Sequence, residues 1–172
     1  MIEVFKTKLD GVLIVKPEAF EDHRGAYVEI YNEDLYREKG IDVKFVQDDV
    51  SISSRNVLRG IHGDDVTWKL ISCLHGKFYL VVVNRDKSSP QFGQWDSFVL
   101  SDSNRHQVLV PPKFGNGHLV LSEQAIFHYK QSTYYDRAGQ FTIAWNDPKV
   151  NVWWPIKDPV LSPRDQGGRI IP

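Results

Sequence analysis

The sequence predicts an all-β protein built as a double-sheet jelly roll, with a short helix near the N-terminus and an irregular C-terminal segment. Three observations carry this. Ten short runs dense in valine, isoleucine and aromatics recur between turn-forming residues. Several alternate apolar with polar residues, the period of a strand that has one face in a core. Nine prolines, including Pro111-Pro112 and Pro155, fall between runs, where strand boundaries tolerate them. Two stacked sheets are the natural way to bury so many short strands.

In chain order the first candidate is 12–15, a Val-Leu-Ile-Val run, followed by 25–31, which opens on a turn glycine. Next comes the one good helix, 33–39, with Asn32 as N-cap, Leu35 and Tyr36 on one face and Gly40 as a stop. Segment 43–53 ends in alternating valine, serine and isoleucine, and 68–75 and 78–84 are rich in aliphatics and aromatics. Segments 95–100, 107–110 and 118–121 are shorter, and 125–130 sets Ala125, Phe127 and Tyr129 on one face and Ile126, His128 and Lys130 on the other. Segment 142–145 closes the set. No repeat, low-complexity tract or linker divides the chain, so residues 1–172 are read as one domain.

Composition excludes several classes. Apolar residues are 41% and charged residues 25%, ordinary for a globular protein. A net charge of -1 leaves no basic excess for a nucleic-acid backbone. The longest aliphatic run, Leu80-Val81-Val82-Val83, is far short of a membrane span. The start Met1-Ile2-Glu3-Val4 lacks the basic and apolar regions of a signal peptide, and a single cysteine, Cys73, fits a reducing compartment. The expected location is the cytoplasm.

The segment Asn56-Val57-Leu58-Arg59-Gly60-Ile61-His62 is the most informative one. Arginine is a fixed cation for phosphate, and histidine has the side-chain pKa best suited to proton transfer near neutrality. Of the six histidines, none forms a His-X-His pair, so no metal site is expected. His23, His75 and His106 sit in turns or polar loops. His128 and Tyr129 are neighbours on a strand, so only one faces the interior; Tyr129 shares the register of Phe127 and is the inward one. Arg24, Arg59, Lys69 and Arg164 are either separate surface cations or, if they converge, a clamp for a diphosphate. Asp165 is either a turn aspartate or the group that holds a catalytic imidazole in one tautomer.

Taken together, these residues resemble the dTDP-4-dehydrorhamnose 3,5-epimerase family. The resemblance runs in order through Asp22-His23-Arg24-Gly25 with Glu29, Phe45-Val46-Gln47-Asp48-Asp49, Val57-Leu58-Arg59-Gly60-Ile61-His62 and Lys69-Leu70. It continues through Ser88-Ser89-Pro90, Leu109-Val110-Pro111-Pro112, Tyr129-Lys130, Tyr134-Tyr135, Trp145-Asn146-Asp147-Pro148 and Leu161-Ser162 to Asp165. It implies a cupin-like, cofactor-free and metal-free enzyme, a homodimer through strand exchange, acting on a nucleotide-linked 4-keto-6-deoxy sugar. By the same resemblance His62 is the base, Asp165 its orienting partner, Tyr129 the proton donor and Lys69 the oxyanion stabiliser. Arg24, Glu29, Gln47, Asp49, Arg59 and Arg164 match positions that hold the nucleotide and diphosphate.

The departures gather around the sugar. Gly63-Asp64-Asp65 follows the histidine in place of an aromatic and a glutamine, Asn116 stands for a histidine, and Gln140 for a late glutamate. His118 is a new histidine two residues beyond Asn116. Asn116, His118 and Gln140 are therefore expected in the substrate site. These variants resemble the branch that acts on GDP-linked 4-keto-6-deoxy-heptoses in capsular polysaccharide synthesis, leaving GDP or dTDP open as the nucleotide. Two other readings remain: a metal cupin built on His62 and His118, and a sugar-nucleotide-binding module without catalysis.

Overall fold

The computed structural model describes all residues, 1–172. Thirteen strands and two short helices follow one another as β1 (Ile2–Lys6), β2 (Leu13–Pro17), β3 (Ala19–Asp22), β4 (Gly25–Val28), α1 (Glu33–Glu38), β5 (Gln47–Ser54), β6 (Leu58–Gly63), β7 (Lys69–His75), β8 (Lys77–Asn84), β9 (Trp95–Ser101), β10 (Gln107–Val110), β11 (Phe114–Val120), β12 (Gln124–Gln131), β13 (Phe141–Thr142) and α2 (Pro163–Gln166). A six-stranded sheet, ordered β1-β2-β10-β7-β12-β5, packs on a five-stranded one, ordered β13-β6-β11-β8-β9. The β3–β4 hairpin forms a separate two-stranded sheet. This is the all-β jelly roll that the strand pattern predicts.

Three apolar layers hold the sandwich. Ile71, Phe78, Leu80, Val82, Val108 and Phe127 meet between the two sheets. On the outer face of the five-stranded sheet, Leu58, Tyr79, Val81, Val83 and Leu119 pack against Ile143, Val150, Trp154 and Ile171. The irregular C-terminal segment is thus a covering layer, not a tail. On the outside of the other sheet, Val15, Leu70 and Leu109 pack against Tyr36 and Ile41, at and just beyond α1. Strand β8 is covered on both faces, which is why it reads as an unbroken aliphatic run.

The prediction misses the strands rich in glycine. Residues 118–121 mark only the end of β11, and β6, which starts in the β-prone Val57-Leu58 and runs into glycines, is absent from the ten runs. The two pair with each other, and the glycines permit the contact: a Cβ on Gly60 would lie 2.4 Å from the Gly117 Cα. The N-terminal edge strand β1 was also unmarked in the sequence; its Ile2 packs inward while Phe5 lies exposed. The strand expected over 43–53 begins only at Gln47, because Val43 and Phe45 turn into the layer around α1. No helix is long and apolar enough to cross a membrane.

Candidate active site

Between the sheets, beside the central core, lies a cavity of about 460 Å³. The period of a strand decides what enters it. On β5, Gln47, Asp49 and Ser51 point inward, and on β12 their register partners Gln131, Tyr129 and Phe127 do the same. His128 turns to the outer face, 3.5 Å from Asp48, as the alternation predicts. Lys69 comes from β7, beside Gln131. The five-stranded sheet supplies the opposite wall: Arg59 and His62 from β6, Asn116 and His118 from β11. Gln140, Ser162, Arg164 and Asp165 arrive from the C-terminal covering layer.

His62 and Asp165 are 103 positions apart yet make the shortest contact in the cavity, Nε2 to Oδ1 at 2.5 Å. Asp165 is 2% exposed and sits in the first turn of α2. The helix N-cap Ser162 accepts from the Asp165 N–H and donates its hydroxyl to Oδ2 at 2.9 Å. Burial pushes the Asp165 carboxyl up, but the hydrogen bond and charge of His62, with the Ser162 and Gly60 donors, hold it below the usual carboxylate range. An ionised Asp165 keeps the imidazole proton on Nε2 and leaves Nδ1 as the basic nitrogen.

On the facing sheet, burial and then the Asp49 charge raise the Tyr129 phenol to about 12, so it stays a proton donor near neutrality. Asp49 is itself held by the Gln47 and Gln131 amides, at 2.8 and 2.6 Å. The Lys69 ammonium donates to Asn116 Oδ1 at 3.4 Å and lies 5.9 Å from the Tyr129 ring centre. Burial lowers its pKa, and the Asp64 charge opposes that. Arg59 and Arg164 are anchored through Nε, to Ser53 and Thr142, which leaves their terminal nitrogens for a ligand.

Of the departures from the family pattern, Asn116, His118 and Gln140 line the cavity, and Gly63 and Asp64 do not. Asn116 is the ladder partner of His62. Asp64 accepts from the Gln140 amide at 2.7 Å while its other oxygen caps the Val66 and Thr67 N–H groups. Gly63 faces the Phe141 ring, where a Cβ would come within 2.6 Å of Cζ. His118 stacks on Phe127, ring centres 4.0 Å apart and 7° from parallel.

Two expected residues do not reach this cavity within one chain. Arg24 and Glu29 belong to and follow the β3–β4 hairpin, which pairs only with itself, and the exposed Arg24 guanidinium is bound to Asp22. Ser51, Gln131 and Ser162 line the cavity without having been singled out for it. The first two were recoverable from the alternation that Gln47, Asp49 and Tyr129 already set. No three His, Cys, Asp or Glu side chains form a group that would hold a metal, so the donor set of a metal cupin is not assembled.

The family model of dTDP-4-dehydrorhamnose 3,5-epimerase matches residues 6–171. The dTDP-4-dehydrorhamnose 3,5-epimerase of Salmonella typhimurium is 40% identical over 176 residues, covering 99% of this chain and 96% of its own. A crystal structure of the Legionella pneumophila dTDP-6-deoxy-D-glucose-3,5-epimerase, in complex with dTDP-4-keto-L-rhamnose, superposes with a TM-score of 0.95 at 36% identity, over 99% of this chain and 93% of that one. The Bacillus anthracis dTDP-4-dehydrorhamnose 3,5-epimerase with TDP and PPi bound gives 0.96 at 33% identity, over 99% of both chains.

Proposed function

This chain belongs to the dTDP-4-dehydrorhamnose 3,5-epimerase family, isomerases of nucleotide sugars, and we propose that it inverts C3, C5 or both in a nucleotide-linked 4-keto-6-deoxy sugar. The C4 ketone acidifies the protons on C3 and C5. His62 Nδ1 removes one, and Asp165 stabilises the imidazolium that forms. The electron pair moves onto the ketone oxygen, where the Lys69 ammonium meets the developing negative charge. Tyr129, on the other sheet, returns a proton to the opposite face of the same carbon, so the centre inverts. Arg59 and Arg164 hold the diphosphate, and Gln47, Asp49, Asn116 and Gln140 orient the rest of the substrate. No cofactor takes part.

A homodimer completes the site in this reading. The β3–β4 hairpin exposes Phe20 and Tyr27 and carries Arg24, with Glu29 just beyond it, away from its own cavity. It is the element suited to reach the cavity of a second copy. The location we propose is the cytoplasm.

The observation that carries the proposal is the His62–Asp165 pair set in one wall with Tyr129 in the facing one. The test is proton NMR in deuterium oxide with dTDP-4-keto-6-deoxyglucose, the substrate type of the relatives. The wild-type protein is expected to exchange C3 or C5 protons and His62→Asn to abolish exchange; unchanged exchange in a folded His62→Asn variant overturns the mechanism. Asn116 and Gln140 in the cavity wall, the latter bonded to Asp64, favour a second reading of the substrate, a GDP-linked 4-keto-6-deoxy-heptose of capsular polysaccharide synthesis. A more polar wall suits a sugar with one more hydroxymethine. Exchange with the GDP-heptose alone supports this reading, and exchange with the dTDP-hexose alone rejects it.

A further inference from the structure

Asn116 and His118 lie two residues apart on β11, so their side chains leave the same face about 7 Å from one another. Their ladder partners differ: Asn116 pairs with His62 and His118 with Arg59. His118 therefore stands level with Arg59, a phosphate-binding cation, and one step along β11 from the level of the base. Its ring belongs to the cavity wall and is packed on Phe127 and, tilted by 54°, against Phe78.

Four polar side chains of that wall are buried: Lys69, His118, Gln131 and Asp165. Lys69 is bonded to Asn116, Gln131 to Asp49 and Asp165 to His62. His118 alone keeps a buried nitrogen, Nε2, without a partner. A phenyl ring would make the same stack and leave nothing unmet, so packing does not explain the imidazole. Burial, then the Arg59 charge, pushes its pKa down to about 3. The ring is neutral at physiological pH, with one nitrogen to donate and one to accept.

In a pyranose whose C1 carries the diphosphate and whose C3 meets the base, the intervening atom is C2 with its hydroxyl. We propose that His118 is a specificity-determining residue that hydrogen-bonds the 2-hydroxyl of the bound sugar and thereby prefers 2-hydroxy over 2-deoxy substrates. This rests on the nucleotide-sugar reading above, and it adds the position at which the sugar is read.

The test uses sugars without the ketone, so that binding is measured apart from turnover. Calorimetric titration would compare dTDP-glucose with dTDP-2-deoxyglucose, and GDP-mannose with its 2-deoxy counterpart, for the wild type and His118→Phe. In the pair whose nucleotide binds, the wild type is expected to prefer the hydroxylated sugar about 2–12-fold, the worth of one neutral hydrogen bond. His118→Phe is expected to show no preference. Each comparison is made within one variant, so any loss of folded protein cancels. A second readout needs no variant: the ¹⁵N shifts of the His118 ring should move more with the hydroxylated sugar than with the deoxy one. A wild type without preference, a preference that survives in His118→Phe, or no binding by any of the four sugars overturns the proposal. If the preference is absent but the keto sugar still exchanges deuterium, only this contact is wrong. If the preference behaves as expected and no exchange occurs, the contact stands and the epimerase reading falls.

Discussion

At the scale of single residues, the chemistry depends on Asp165 being ionised and aimed. Asp165→Asn keeps the side-chain shape and the backbone cap on Ser162, but it loses the negative charge that favours the imidazolium. The expected outcome is a folded protein whose deuterium exchange rate falls roughly 10²–10⁴-fold, the usual scale for losing acid–base assistance. A fall below tenfold would mean that Asp165 does not orient the base. His118 has a separate consequence for stability. Its folded pKa is depressed, so the native state declines a proton that the unfolded chain accepts below about 6.5. The sign follows: this group costs nothing above the unfolded pKa, and stability is lost as pH falls from there toward 3, by up to about 1.4 kcal/mol per pH unit. Urea titrations at pH 7 and pH 5 should show His118→Phe gaining relative to the wild type at the lower pH. What the sequence disclosed at this scale was facing: alternation alone turns Tyr129 in and His128 out. The His62–Asp165 contact was visible only through resemblance, because no local pattern links residues 103 positions apart.

At the scale of elements, two strands that look like loops form the floor of the site. Gly60 has φ +126°, and a Cβ there would meet the Gly117 backbone at 2.4 Å. Gly25, in the β3–β4 turn, has a similar φ of +121° but open space around it. The pair separates conformational strain from collision. Gly25→Ala is expected to cost about 1–2 kcal/mol, and Gly60→Ala more, on the order of 3–4 kcal/mol, with loss of activity. Equal costs by chemical denaturation would mean that β6 and β11 can move apart. Reading glycines as turn residues is sound in isolation, which is why β6 and the first half of β11 were missed. Their small size serves the approach of one strand to another, and that requirement belongs to a partner far away in sequence. Runs with bulky side chains, such as β8, β10 and β12, were legible because their own residues carry the signal.

At the scale of the whole molecule, the stability rests on layers contributed by distant parts of the chain. Phe78, fully buried between the sheets against Phe127 and His118, is expected to cost about 3–5 kcal/mol as alanine. The C-terminal segment, composed of loops and one four-residue helix, gave little periodic signal, yet Val150, Trp154 and Ile171 cover one sheet and Asp165 completes the site. The proposed dimer is tested by sedimentation equilibrium, with Tyr27→Glu on the exposed hairpin as the disrupting variant. A monomeric wild type that exchanges deuterium at full rate would reject the shared site.

His62 and Tyr129 stand on different sheets, and no backbone ladder joins a strand of one sheet to a strand of the other. Side-chain packing, with the Arg59–Ser53 and Lys69–Asn116 hydrogen bonds, fixes the gap across which the proton must be relayed. Mild acid or low denaturant that swells the sandwich while leaving each sheet paired would therefore silence the enzyme before far-ultraviolet dichroism changes. Turnover becomes a gauge of how closely two otherwise independent sheets are pressed together.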